Sequence, residues 1–306
     1  MNRRKAFTAL FLLFFFLTPF LSPGQETINI SISGSLNWEN GRMDTAAELD
    51  LPSAGLKLPT GRLRGEEILR EENLSLLRPL LLSVQADSSS TVEDLIRRGD
   101  FSLGALDEIC LEAQATPASF STDLTKLIGR YTITMSSLSA ALIRHRQPGD
   151  PGRPLIPSPA ANYTGIIIIA DTELPIHGRN TSALVQPCLF PKIWDTEMNL
   201  VYEKNLTDPA ITGSGSNTIV HYTNRENILQ PGPSGLSDNL AKLVGERPLR
   251  IITRAVYGAV PTDPVIDRED ALQILSTENN RRLLAEGKIV MVLDSKVLQN
   301  KLGSGF

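Results

Sequence analysis

Three histidines, His145, His177 and His221, and two cysteines, Cys110 and Cys188, are the residues from which a metal centre or a strong nucleophile would have to be built. Protein zinc sites recruit such residues in closely spaced pairs, because two ligands on one turn or one helix face fix half of the tetrahedron. None of these histidines stands two or four residues from another, and neither cysteine has a partner at ligand spacing. A serine nucleophile needs a strained turn of the form Gly-x-Ser-x-Gly. Gly213-Ser214-Gly215-Ser216 and Gly303-Ser304-Gly305 have the wrong order for it. The first of these also begins a dinucleotide fingerprint, but Thr218 occupies the place of the third glycine. Asp195-Thr196-Glu197-Met198-Asn199 opens like a calcium loop, yet Leu200 replaces the required glycine and Leu206 the bidentate glutamate. It reads as a polar hairpin turn. Two carboxylate groups, Asp171/Glu173 and Asp267/Glu269/Asp270, have the chemistry for acid–base work. Asp267 is more simply a helix cap with Glu269 and Asp270 facing the dipole in the first turn, and Asp171 and Glu173 end a strand in solvent. The expectation is a chain that is not an enzyme, with no catalytic, cofactor-binding or metal residues and no cofactor.

The elements that would position any site come next. The chain has 306 residues, 41% of them hydrophobic, so it folds around a core, and its length allows two modules. Its 30 basic and 34 acidic residues give a net charge of −4, and without a basic excess a nucleic-acid partner is not expected. Arg3, Arg4 and Lys5 precede an apolar run from Ala6 to Leu21, followed by Ser22, Pro23 and Gly24. That is the layout of a cleaved signal peptide over 1–24, with the mature chain beginning near Gln25. An uncleaved anchor is the competing reading, although the run is short and holds Pro19. After cleavage no transmembrane span is expected. Export leaves two readings of Cys110 and Cys188 open, one disulfide or two separate buried thiols.

A first module is expected over 25–145. Ile28, Ile30 and Ile32 alternate with polar residues, Leu36 and Trp38 follow a bulge at Gly34, and Asn40-Gly41 marks a type I′ hairpin. The return strand places Met43, Thr45, Ala47, Leu49 and Leu51 on one face. A helix from about Gly65 carries Ile68, Leu69, Leu76, Leu77, Leu80, Leu81 and Val84, and Pro79 must kink it or begin a second helix. Ser90 and Glu93 form a capping box, another helix runs from Ser102 to Ala113, and Tyr131, Ile133 and Met135 mark a third strand. Residues 146–161 contain five prolines and two glycines and read as a linker. The second module, 162–306, has strands at Tyr163–Ala170 and Leu249–Tyr257, and a hairpin from Phe190–Trp194 to Leu200–Tyr202. Polar loops follow at 211–218 and 231–237; a helix opens at Asp267, and Ile289–Leu293 closes as a strand parallel to the one before that helix. The fold class is α+β: two small mixed-sheet modules with helices packed on one face, joined by a proline-rich segment.

Three blocks of the second module resemble a known family. Tyr163-Thr164-Gly165-Ile166-Ile167-Ile168 looks like its YTGLVID opening. Pro191-Lys192-Ile193-Trp194-Asp195 with Val201-Tyr202 resembles its PKIYD…VYG hairpin. Glu269-Asp270-Ala271, Leu284 and Glu286 to Asp294 are similar to its closing EDA…FLKEGRVVIVLD. The family is the outer-membrane and periplasmic lipoproteins related to the flagellar assembly proteins FlgP and FlgT, and the resemblance covers roughly 160–294. The first module resembles a spirochaete-type extension. This sequence departs from the family in lacking a lipobox cysteine and in the long segment between Tyr202 and Leu249.

The resemblance implies an exported, non-catalytic structural or assembly protein of the cell envelope. It would lie in the periplasm or at the inner face of the outer membrane, associated with the flagellar motor or that membrane, with protein partners or self-association. The alternative is a periplasmic ligand-binding or hydrolytic protein using the cleft between the modules, lined by the 211–218 and 231–237 loops.

Overall fold

The computed structural model describes residues 28–213, 219–232 and 234–303. The expected signal segment 1–24 and the Gln25 start lie outside these residues, as do most of the 211–218 loop and Ser304-Gly305. The α+β, two-module architecture stands, with a proline-rich stretch between the modules.

In the first module, strands β1 (Ile30–Asn37) and β2 (Arg42–Asp50) form the expected hairpin. Met43, Thr45, Ala47, Leu49 and Leu51 are buried on one side, as the alternation requires. The turn differs from expectation: Asn37 pairs with Arg42, so the loop holds four residues, and Gly41 takes the positive φ of 61°. Trp38 is the reason, because its ring turns inward against the edge of the Tyr222 ring, 5.7 Å between centroids. Gly34 is no bulge, since both flanking ladders run through it in continuous register. A Cβ there would stand 3.2 Å from Leu80, so the glycine lets a helix approach.

That helix is α2 (Asn73–Leu82), separated from α1 (Gly61–Glu71) at Glu72. The break therefore falls upstream of Pro79, which is held inside α2. A short hairpin, β3 (Gln85–Asp87) and β4 (Ser90–Thr91), leads into α3 (Val92–Arg97). Its capping box is Thr91 with Asp94, one residue beyond the expected pair. Ser90 is itself buried in β4 and accepts from the Arg98 guanidinium at 2.7 Å. Helix α4 (Leu103–Leu111) is capped by Ser102, and β5 (Gln114–Phe120), β6 (Lys126–Thr134) and α5 (Met135–Leu142) follow. β5 and α5 were not expected. β5 lacks an apolar period and carries Pro117, which suits the sheet edge it occupies.

The second module begins with β7 (Ile166–Ala170) and a two-residue pairing of β8 (Leu174–Pro175) with β9 (Ser182–Ala183). Strands β10 (Ile193–Asp195) and β11 (Leu200–Tyr202) make the expected hairpin. Beyond it lie α6 (Pro209–Gly213), β12 (His221–Thr223) and α7 (Asp238–Val244). The expected strand Leu249–Tyr257 is two, β13 (Leu249–Ile252) and β14 (Ala255–Tyr257), which belong to different sheets. Next come β15 (Asp263–Ile266), α8 (Arg268–Leu275), α9 (Glu278–Ala285), β16 (Ile289–Leu293) and β17 (Gln299–Gly303).

One sheet of this module is parallel, in the order β12-β16-β7-β13, so β16 does run parallel to β13, with β7 between them. It is covered on both sides. Ile167, Val290 and Val292 pack on Leu240 and Val244 of α7, while Ile168, Met291 and Leu293 join the larger core. A second sheet, β11-β10-β15-β14, is mixed.

The modules are interlocked. β17 crosses over and pairs with β1, from Ser33↔Gly303 to Asn37↔Gln299, so the expected unit 162–306 gives its last strand to the first sheet. In the other direction the β3–β4 hairpin docks on the second module, with Phe190 N–H donating to the Ala86 carbonyl at 2.8 Å and Val260 N–H to that of Ser88 at 2.9 Å. The proline-rich stretch is an anchored strap. Gly149 N–H donates to the Asn205 carbonyl at 2.7 Å, Ser158 N–H to Ser276 Oγ at 2.9 Å, and Asn280 Nδ2 to the Ala161 carbonyl at 2.9 Å. Among the described residues no helix is long and apolar enough to cross a membrane.

Candidate functional site

The β1–β2 turn reaches over the edge of the parallel sheet, and an open cleft of about 830 Å³ lies where it meets β12 and α7. Glu39 and Asn40 line it from the first module; His221, Asn227, Asp238 and Lys242 line it from the second. His221 is placed by β12, whose pairing with β16 sets His221 opposite Val290. Burial lowers its pKa to about 4, so the ring is a neutral imidazole near pH 7. Thr223 and Asn224 end the strand and turn the chain: Asn224 Oδ1 accepts from Asn227 N–H at 3.2 Å, and Asn227 Nδ2 donates to Thr223 Oγ1 at 3.0 Å. The Glu39 carboxylate crosses the module boundary and accepts from Asn224 Nδ2 at 3.1 Å and Asn227 Nδ2 at 3.4 Å.

Beside this cleft, at the carboxyl ends of the parallel strands, Asp171 follows β7 and meets Arg225. The guanidinium donates through Nη2 to Asp171 Oδ1 at 2.7 Å and through Nε to Oδ2. The Asp171 side chain is 7% exposed, which corrects the expectation that it ends its strand in solvent. The hydrogen-bonded guanidinium holds its carboxyl below the usual carboxylate range. The cleft thus offers amide, carboxylate, imidazole and ammonium groups to a polar ligand. Glu39 and Asp171 already have partners, and no hydroxyl or thiol among the described residues hydrogen-bonds to His221.

The remaining candidates are scattered. His145 Nε2 lies 2.7 Å from the Thr207 carbonyl, and His177 stands edge-on to the Tyr257 ring. Among the described residues no group of three or more His, Cys, Asp or Glu is placed to hold a metal ion. Cys110 and Cys188 are both free and buried, Cys110 on α4 of the first module and Cys188 ahead of β10 in the second. Burial pushes the Cys110 thiol up to about 11 and the Cys188 thiol higher still, so neither is a thiolate at neutral pH. Asp195 is consumed by its own hairpin, accepting from Glu197 N–H at 2.9 Å and Asn199 N–H at 2.8 Å. Asp267 sits at the N-cap of α8, but its carboxylate takes Arg254 Nε at 2.7 Å and no cap N–H. Glu269 and Asp270 lie in the first turn as expected.

Sequence reasoning missed Asp263. It is 1% exposed, its Oδ1 accepts from Thr262 Oγ1 at 2.8 Å and Lys192 N–H at 3.2 Å, and its Oδ2 is buried with no hydrogen-bond partner among the described residues. Burial raises its pKa. An Asp-Pro pair looks like a turn in sequence, so nothing local marked this carboxyl as interior.

Residues 29–141 match the family model described as Treponema pallidum Tp0624, N-terminal domain, and residues 165–295 match the one described as Treponema pallidum Tp0624, second domain. Both models describe domains of one Treponema pallidum protein, and together the matches indicate a spirochaete-type family. No curated protein matches the chain. The two Tp0624-type segments flank the strap and stop short of β17, so the strand that ties the modules together lies outside both matches.

Proposed function

We propose that this chain is an exported, non-catalytic structural or assembly protein of the cell envelope that works through protein contacts or self-association. Its place would be the periplasm or the inner face of the outer membrane, in the setting of FlgP- and FlgT-related proteins, including the surroundings of a flagellar motor. The observation that carries the reading is on the strap: Leu155 is 102% exposed and Ile156 84%. Two adjacent bare aliphatics are unusual when both ends of their segment are anchored. They stand beside a groove of about 580 Å³ whose walls include Leu200, Leu272 and Leu275. Covering a Leu or Ile side chain is worth about 1.5–3 kcal/mol, so a partner that seats both gains an appreciable part of a binding energy. The basic n-region with its apolar run, and the three resembling blocks, support export and the envelope setting.

In-cell cross-linking of a C-terminally tagged chain, with fractionation, tests this. Recovery with outer-membrane or flagellar components, lost on Leu155→Asp with Ile156→Asp, is the expected result. Recovery as a lone soluble monomer would overturn it. A second reading, a ligand-binding or hydrolytic protein using the inter-module cleft, draws on the neutral His221 in that cleft. It predicts a monomer with saturable binding of a small polar ligand, abolished by His221→Ala.

A further inference from the structure

A separate cleft of about 470 Å³ lies in the first module, between the α1–α2 corner and strands β5 and β6. That volume is within the range of small-ligand sites, about 300–1,000 Å³. Its apolar part includes Leu69, Leu111, Ala115 and Pro117. Three polar α1 residues, Arg62, Glu66 and Arg70, follow one another along a helix face at four-residue spacing and line the same cleft. Arg62 and Glu66 neutralise each other at 3.0 Å, and Arg62 also stands over the Phe120 ring, 5.7 Å from its centroid. Arg70 has no ion pair or hydrogen-bond partner among the described residues, so this cleft carries one uncompensated positive charge in a chain whose net charge is −4.

Asn73 opens α2 and lines the same cleft, with 9% of its surface exposed. Its Nδ2 donates to the Cys110 carbonyl at 3.3 Å, while its Oδ1 is buried and accepts from none of the described residues. A buried acceptor without a donor is costly to the fold, and a ligand that supplies the donor recovers that cost. The cleft therefore combines an exposed guanidinium without an anion, a buried amide oxygen without a donor, and an apolar wall with Leu111 at 66% exposure.

We infer that this cleft binds an apolar carboxylate with an adjacent N–H, the chemistry shared by N-acylated apolar amino acids and the C-terminal residue of a peptide. Arg70 takes the carboxylate, through the paired N–H donors that make guanidinium suited to it. Asn73 Oδ1 takes the N–H, and the side chain rests on Leu69 and Leu111. The site stands apart from the strap surface and holds or fails independently of the function proposed above.

Titration of the full chain with N-acetyl-leucine, followed by NMR, tests the inference alongside three other probes: N-acetyl-leucinamide, octanoate and a decapeptide ending in a free leucine carboxylate. N-acetyl-leucine is expected to saturate, with the amide and octanoate each about tenfold weaker, corresponding to about 1.4 kcal/mol per lost contact. Arg70→Gln is expected to weaken N-acetyl-leucine about tenfold and Leu111→Asp to weaken it further. Both positions are exposed, so folding survives, and Arg64→Gln on another face of α1 serves as the unaffected control. A decapeptide that binds more tightly than N-acetyl-leucine identifies a peptide terminus as the source, and equal affinity identifies a free small acid. Absence of saturation, binding indifferent to Arg70→Gln, or octanoate as good as N-acetyl-leucine would overturn the assignment.

Discussion

The five-stranded sheet of the first module and the parallel sheet of the second bury their strands in different ways. Along β6, Leu127, Tyr131 and Ile133 are buried while Ile128, Arg130 and Thr132 between them are not. Along β16 every residue from Ile289 to Leu293 is buried. One sheet has helices on a single side; the other is closed between α7 and the main core. The first sheet therefore keeps a face that tolerates change, and the second keeps none. The largest expected effects follow from this contrast. Val290→Lys and Met291→Lys are adjacent and point to opposite sides, and each is expected to cost about 3–5 kcal/mol, because each leaves a buried charge without a partner. Ile133→Lys should do the same in β6, while its neighbour Thr132→Lys stays within about 0.5 kcal/mol of the parent. Urea denaturation midpoints for the four variants decide it, and a mild Val290→Lys would break the comparison.

Glycines sharpen it at the next level. A Cβ on Gly165, just before β7, would stand 2.4 Å from Val244 Cβ and 2.7 Å from the Val244 carbonyl oxygen. The obstacle includes backbone, so α7 must move. At Gly34 the nearest atom is the end of the Leu80 side chain at 3.2 Å, which can give way. Gly165→Ala is expected to cost about 1–3 kcal/mol, and Gly34→Ala clearly less, in the same denaturation experiment.

The same contrast explains what could be seen in the sequence. A sheet with one open face writes its register as alternation, so Met43, Thr45, Ala47 and Leu49 declared the β2 core face directly. The Ile166–Ala170 and Ile289–Leu293 runs declared strands, but a run buried on both sides does not say which neighbours it pairs with. Leu249–Tyr257 alternates throughout, yet Thr253 N–H goes to the Ile169 carbonyl and Arg254 N–H to that of Val265, so consecutive residues serve different sheets. β17 reads Gln-Asn-Lys-Leu-Gly and carries no strand signal; the free edge of β1 imposes its conformation. The candidate cleft was legible only as an inter-module space, with Ser237 of the 231–237 loop among its lining residues. His221 is one of only three histidines in the sequence, but its position depends on β12 finding β16. Glu39 stands in sequence beside the Asn40-Gly41 turn signal, and its bonds to Asn224 and Asn227 arise from contact between modules.

Asp263 gives a pH test of how that contact is maintained, since it begins β15 near the docked β3–β4 hairpin. Burial raises its pKa in the folded state, so the folded chain favours the protonated carboxyl. This contribution is fully present below the unfolded value of about 3.9 and is lost as pH rises through the higher folded value. Asp263→Asn cannot ionise, and it is expected to remove that downward slope on the acid side of neutrality. Stability curves of parent and variant from pH 4 to 7 show it, and parallel curves would mean that Asp263 is ionised throughout.

Ion pairs give the smallest expected effects and carry the comparison to the surface. Lys126 and Glu48 bridge β6 and β2 on the open face of the first sheet at 2.7 Å, with 45% and 36% of their side chains exposed. Asp171 and Arg225 bridge the ends of β7 and β12, with the carboxylate 7% exposed and the guanidinium 56%. Solvent screens the first pair from both sides and the second from one. Asp171→Asn is therefore expected to cost about 1 kcal/mol and Lys126→Gln less, with 0.5 M salt narrowing the difference. The folded pKa of Asp171 is lowered, so its contribution is present above about pH 3.9 and disappears as pH falls through the lower folded value. Equal losses for the two variants at neutral pH would mean that the carboxyl ends of the parallel strands are as open to water as the outer face of the first sheet.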